Sequence, residues 1–261
     1  MNPRGVIFTD LDGTLVDFHT YLPSPPAVAL LHQLDAAQIL VIPVSSKTSA
    51  EVRPLMKELE LSGPAVLEGG PVIVREDGSE SVTGPCRADL VDVLHQLQDR
   101  GWGVRGMSEM SVGEVMELTG LGDAAARRAM TRSASEPFMM ADNPSPPGTA
   151  GIEEVIAELG ASLARGGRFW HLLGRGMDKA AGVCSVLAMI HTGDRFGTAA
   201  IGDAWNDLPM LEEAEIGFLL GNAVEPEAVP PGVTRLERTG PPGFIDAVGR
   251  ILDSWNAATP G

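Results

Sequence analysis

Along the first third of the chain, short apolar runs alternate with longer stretches in which apolar positions recur at helical spacing. Residues 6–9 predict a buried strand. Residues 25–37 predict a helix opened by Ser and Pro, and 39–44 a second, β-branched strand. Residues 48–61 read as a helix and 65–67 as a third short strand. The stretch "GGPVIVREDGSE" predicts a hairpin around an Asp-Gly turn. Strands alternating with helices in this way imply a parallel sheet.

The middle of the chain follows another rhythm. An amphipathic helix is predicted over 87–100, a strand over 102–107, and short helices over 112–119 and 123–130. A strand over 135–142 leads into a Pro/Gly/Ser loop over 142–151. A helix over 152–165 and a strand over 168–174 complete an α+β pattern with about three strands. After Gly176 the first rhythm resumes, with a helix over 179–190, a strand over 198–203, a short helix over 209–214, a strand over 216–220 and a closing helix over 243–255. The expected fold class is therefore α/β. A doubly wound, Rossmann-like parallel-sheet core (residues 1–81 and 175–261) carries an inserted α+β domain (residues 82–174).

Composition narrows this. A chain of 261 residues with 44% hydrophobic positions can bury a real core. A net charge of −16 repels phosphate backbones, so nucleic acid is an unfavourable partner. No apolar run reaches the length of a bilayer span, and "MNPRGVIFTD" carries no signal-peptide core. The expectation is a cytoplasmic protein with no membrane partner, a monomer or weak homodimer. Cys86 and Cys184 lie far apart in sequence and are expected to be buried or partly buried thiols. Lysine occurs only at 47, 57 and 179.

Candidate chemistry sits at the predicted strand ends, where open α/β sheets bind ligands. "VIFTDLDGTL" runs an apolar strand into Asp10 and Asp12. Residues two apart on extended chain point the same way, and two carboxylates so close resist joint ionisation unless a cation sits between them. Gly13 allows a tight turn and close approach to an anion. A calcium loop needs Gly at position six and Glu at twelve, and this pattern has neither. An exposed Asp-Gly turn is the plain alternative. The second strand ends in "PVSSKT": Ser45, Ser46 and Lys47 precede a helix N-terminus, a natural anion site; Ser46 or Thr48 as its N-cap is the plain reading, compatible with the first. Lys179 opens a later helix, where a lysine opposes the helix dipole unless an anion is near. "GDAWNDLPM" places Asp203, Asn206 and Asp207 after a β-run. They are oxygen ligands suited to Mg²⁺, and a capping role for Asn206 or Asp207 leaves Asp203 without an explanation.

The order Asp-x-Asp-Gly-Thr, hydroxyl, lysine, Gly-Asp-x-x-x-Asp at successive strand ends resembles the haloacid-dehalogenase-like phosphohydrolase superfamily. The insertion between the second and third motifs resembles the cap of its sugar-phosphate phosphatases. Over nearly the whole chain, "PVSSKTSAEV", "RSASEPF", "GGRFWHLLG", "GDAWNDLPML" and "GPPGFIDAV" are similar to the mannosyl-3-phosphoglycerate phosphatase family. Gly69 in "LEGGP" stands where that family usually has Asn, and "RSASEPF" lacks the aromatic residue that often precedes its Ser-Glu. The resemblance implies a Mg²⁺-dependent phosphomonoesterase acting on a small sugar-phosphate. Asp10 would be the nucleophile, forming an aspartyl-phosphate, and Asp12 the acid and base. Asp10, Asp12 (through its carbonyl), Asp203 and Asp207 would hold the metal, while Ser45 and Lys179 would orient and neutralise the phosphoryl group. Gly13, Ser46 and Asn206 are further candidates for substrate contact. Arg132, Ser135 and Glu136 are candidates for the sugar hydroxyls, Arg168 and His171 for the cleft face of their strand, and Lys47 for a glycerate carboxylate. The rival readings are a phosphohexomutase-like phosphotransferase and a non-catalytic anion- or metal-binding module. The cap methionines are expected to fill core gaps, and only one of Phe169 and Trp170 should be buried.

Overall fold

The computed structural model describes residues 3–18, 20–140, 148–190 and 196–258. The first segment contains β1 (Gly5–Thr9), α1 (Pro25–Ala36), β2 (Ile39–Pro43), α2 (Ser49–Glu58), β3 (Ala65–Leu67), β4 (Val72–Val74) and β5 (Glu80–Val82). The middle comprises α3 (Arg87–Asp99), β6 (Val104–Gly106), α4 (Val112–Thr119), α5 (Asp123–Met130), β7 (Glu136–Met140), α6 (Gly148–Glu158), β8 (Ala161–Arg165) and β9 (Trp170–Gly174). The chain closes with α7 (Lys179–Ile190), β10 (Gly197–Gly202), α8 (Leu208–Glu213), β11 (Ile216–Leu220), β12 (Val233–Leu236) and α9 (Gly240–Ala258).

The core sheet is parallel, in the order β12-β11-β10-β1-β2. β1 is buried along its full length, as a central strand covered on both faces must be. One face packs Ile7, Val41, Ala199 and Phe218 against α1 and α9. The other packs Phe8, Ile42, Ala200 and Leu219 against α7 and α8. Strands β3, β4 and β5 form a small antiparallel sheet, with the expected Asp-Gly turn between the last two. The inserted region is a four-stranded antiparallel sheet, β6-β7-β9-β8. Its apolar contents divide between the α3 and α6 side and a methionine-rich cluster of Met107, Met110, Met116, Met130, Met139 and Phe169.

Several expectations need correction. Residues 152–165 are not one helix: α6 ends at Glu158, the chain turns at Gly160, and β8 pairs with all five residues of β9. The cap sheet therefore has four strands, not about three. Edge strand β12 was not predicted. Its sequence, VTRL, is too polar to read as a buried run. Of the expected loop over 142–151, residues 141–147 lie outside the described residues, and 148–151 already belong to α6. Both cysteines are exposed, not buried. Phe169 is buried and Trp170 half-buried, as alternation requires. Among the described residues, no helix is long and apolar enough to cross a membrane.

Candidate active site

Four strand ends of the core converge. After β1 the chain folds into a compact loop in which Gly13 N–H donates to Val16 O and Val16 N–H to Leu11 O, both at 2.9 Å. Leu11 and Leu15 anchor this loop in the core, so Asp10, Asp12 and Thr14 are left for the site. Gly13 is needed sterically: its φ is 81°, and a Cβ there would lie 2.4 Å from Asp203 Oδ2.

After β2, Ser45 N–H donates to Val66 O at 2.9 Å, and Lys47 N–H to Ser45 Oγ at 3.2 Å. Thr48 is the N-cap of α2, in a reciprocal capping box with Glu51. Ser45 and Ser46 are thus not consumed in capping, and both line the cleft.

Lys179 is only 2% exposed, so the solvated position usual for a lone lysine does not apply. Its Nζ donates to Asp10 Oδ1 at 2.6 Å and to Asp207 Oδ1 at 2.5 Å. The other oxygen of Asp207 accepts the main-chain N–H of Asp203 and of Ala204, each at 2.9 Å. Asp207 therefore braces the loop after β10 and fixes where Asp203 stands. Thr14 Oγ1 donates to Asp203 Oδ1 at 3.4 Å.

The electrostatics follow from this crowding. Burial raises the Asp10 carboxyl well above the ordinary range; Lys179 opposes the rise, and Asp207, Asp203 and Asp12 add to it. Burial, then Asp207, pushes Asp203 up to about 7. Burial would lower Lys179, but Asp10 and Asp207 outweigh it and hold the ammonium above its usual value. One lysine does not neutralise this many carboxylates. Asp10, Asp203 and Asp207 each present an oxygen within 4.8 Å of the others, and Asp12 Oδ1 is buried without a partner. Hard oxygen donors with excess negative charge fit a divalent cation such as Mg²⁺.

A cleft of about 200 Å³ lies over these groups, between core and cap. Asp10, Asp12, Ser45, Ser46, Lys47, Arg132, Arg168, His171, Asp203 and Asn206 all line it, so the structure brings most of the sequence-predicted set together. Lys47 Nζ lies 2.7 Å from Asp12 Oδ2 and 4.9 Å from the centre of the Tyr21 ring. Burial, with Arg132 and Lys179 nearby, depresses His171 to about 3, so its imidazole is neutral. Arg168 is exposed and donates to Thr119 O.

Ser135 and Glu136 are not brought to the cleft. Both are fully buried. Glu136 accepts Arg87 Nε–H and Ser108 N–H on its two oxygens, each at 2.7 Å, so its carboxylate is committed within the cap. Sequence reasoning missed Tyr21, which has no motif to signal it, and gave no role to Glu68, which precedes Gly69 in the "LEGGP" stretch set against the family's Glu-Asn-Gly.

The sequence matches the family model of haloacid dehalogenase-like hydrolases over residues 7–99 and 150–227. It is 30% identical to a glucosyl-3-phosphoglycerate/mannosyl-3-phosphoglycerate phosphatase of Persephonella marina, over 95% of this chain and 97% of the relative. A protein of the same description from Methanococcoides burtonii is 31% identical, over 97% and 99%. Among solved structures, a phosphatase of the haloalkanoate (HAD) enzyme superfamily from Bacteroides thetaiotaomicron superposes with a TM-score of 0.70 at 20% identity, covering 98% of this chain and 96% of that one.

Proposed function

Given that the chain belongs to the haloacid dehalogenase-like hydrolases, we propose that it is a Mg²⁺-dependent phosphatase that releases phosphate from mannosyl-3-phosphoglycerate, the glucosyl compound being the alternative substrate. The observation that carries this reading is the buried Lys179 bridge between Asp10 and Asp207, beside Asp203, beneath a cleft lined by further cations. The relatives that act on the two glycosyl-3-phosphoglycerates support the substrate class.

In this reading Asp10 attacks phosphorus and the ester oxygen leaves, forming an aspartyl-phosphate. Asp12 protonates the departing oxygen and then takes a proton from the water that hydrolyses the intermediate. Lys179 and Ser45, with the main-chain N–H groups around it, hold the phosphoryl oxygens. Asp10, the main-chain carbonyl of Asp12 and Asp203 would hold Mg²⁺, with Asp207 supporting them. The cation supplies positive charge against the carboxylates and the phosphoryl oxygens. Lys47 meets the glycerate carboxylate. Arg132, Arg168, His171 and Asn206 face the sugar, and the neutral imidazole can accept from a hydroxyl. Residues 82–174 form the domain that selects the substrate.

A phosphate-release screen over mannosyl- and glucosyl-3-phosphoglycerate, hexose phosphates and p-nitrophenyl phosphate with Mg²⁺ tests this. The expected result is the highest kcat/KM on a glycosyl-3-phosphoglycerate. Phosphoryl transfer between hexose positions without phosphate release would overturn it.

A further inference from the structure

Glu68 does not line the cleft, yet it is 2% exposed and sits in the left-handed region with φ 55°. A buried carboxylate on a strained non-glycine backbone is held there by its surroundings and points to function. Its partners define that function. Glu68 Oε1 accepts Ser133 N–H at 2.7 Å, and Oε2 accepts Ala134 N–H at 3.1 Å and Ser135 Oγ–H at 2.6 Å. All three belong to the cap. On its main-chain side, Glu68 N–H donates to Lys47 O, and Gly69 N–H to Ser45 O, both at 2.9 Å. One residue thus ties the Ser45–Lys47 loop of the core to the loop between α5 and β7.

The tie reaches the cleft through Arg132. Its Nη1–H donates to Ser135 Oγ at 2.9 Å and to Ser46 O at 3.1 Å, and Nε–H to Ala129 O at 3.0 Å. Arginine has no acceptor and a carboxylate no proton to give, so the Ser135 hydroxyl must accept from Arg132 and donate to Glu68. The direction of this relay is therefore fixed. A second strut, Thr48 Oγ1–H to Arg128 O at 2.8 Å, holds the same stretch of cap.

We propose that Glu68 is a positioning residue: it latches the cap loop onto the core and, through Ser135, aims Arg132 at the part of the substrate that is not phosphate. This rests on the phosphatase reading, and it gives the buried Ser135 a supporting role in place of a sugar contact. Glu68→Gln keeps the size but offers an amide N–H₂ where a donor already points, so the latch is half lost.

The test compares wild type, Glu68→Gln and Ser135→Ala on mannosyl-3-phosphoglycerate with Mg²⁺, together with amide hydrogen exchange at Ser133 and Ala134. For Glu68→Gln, KM is expected to rise by about tenfold while kcat changes by less than about threefold, and both amides are expected to exchange about tenfold faster. Ser135→Ala is expected to raise KM similarly while both amides stay slow, because it cuts the relay and spares the latch; it serves as the test if the Glu68 variant does not fold. Unchanged exchange in Glu68→Gln, or a fall in kcat at constant KM, would overturn the proposal. Turnover of p-nitrophenyl phosphate by the wild type with neither glycosyl-3-phosphoglycerate accepted would instead overturn the substrate reading, and exchange alone would then decide for or against Glu68.

Discussion

Asp10→Asn preserves shape and removes the charge proposed to attack phosphorus. Phosphate release is expected to fall by at least about a thousandfold. The fold should not suffer, because burial and three neighbouring carboxylates all disfavour the ionised Asp10. A thermal midpoint at or above that of the wild type is expected; normal release by the variant would refute the nucleophile assignment. His171 gives a pH prediction with a definite sign. Its folded value of about 3 lies below the usual 6.5, so between these values the unfolded chain binds more protons and stability falls as pH falls. Burial, Arg132 and Lys179 all act in this direction. The loss is about 2 kcal/mol between pH values of about 6.5 and 5. The stability gap between wild type and His171→Gln should shrink by that amount over the same interval in urea titrations. A gap independent of pH would mean that the imidazole is not held neutral.

The turn after β3 controls how two elements meet. Gly70 has φ 136°, and a Cβ there would lie 1.9 Å from Asp178 O, at the start of α7. Gly70→Ala must push back the helix start that carries Lys179. A stability loss of about 3 kcal/mol and a parallel fall in kcat are expected, measured by denaturant midpoint and steady-state turnover. A neutral variant would show that the turn yields without moving Lys179. This scale also explains what was legible in the sequence. β1, β2, β10 and β11 were readable because strands buried on both faces are continuous apolar runs. The strand-end clusters were readable because each is a local motif. β8 was not: Ala, Leu and Arg favour helix, and only pairing with β9 overrides that preference. The role of Glu68 was invisible for a related reason. Its first cap partner, Ser133, lies 65 residues downstream, and no spacing rule connects them.

At the scale of the whole molecule, a chain of net charge −16 concentrates Lys47, Arg132 and Arg168 around one cleft, with Lys179 bonded to Asp10 beneath it. That local excess would attract the proposed substrate, which bears phosphate and carboxylate, against the general field. The carboxylates beneath create the opposite demand. Burial raises both Asp10 and Asp203, and Asp207 and Asp12 add to the rise at each, a cost of folding that a bound cation would offset. Mg²⁺ should therefore stabilise the protein as well as support turnover, because it binds the folded chain and not the dispersed carboxylates of the unfolded one. At free Mg²⁺ about ten times its dissociation constant, the gain is about 1.4 kcal/mol. Asp203→Asn should abolish most of this gain, while Asp203 N–H still bonds Asp207 and keeps the loop in place. The measurement is the thermal midpoint across a Mg²⁺ titration, for wild type and variant, beside phosphate release in excess chelator. An unshifted midpoint, or full turnover with divalent metal removed, would show that Lys179 alone neutralises the site and that the carboxylate cluster serves the fold and not a cation.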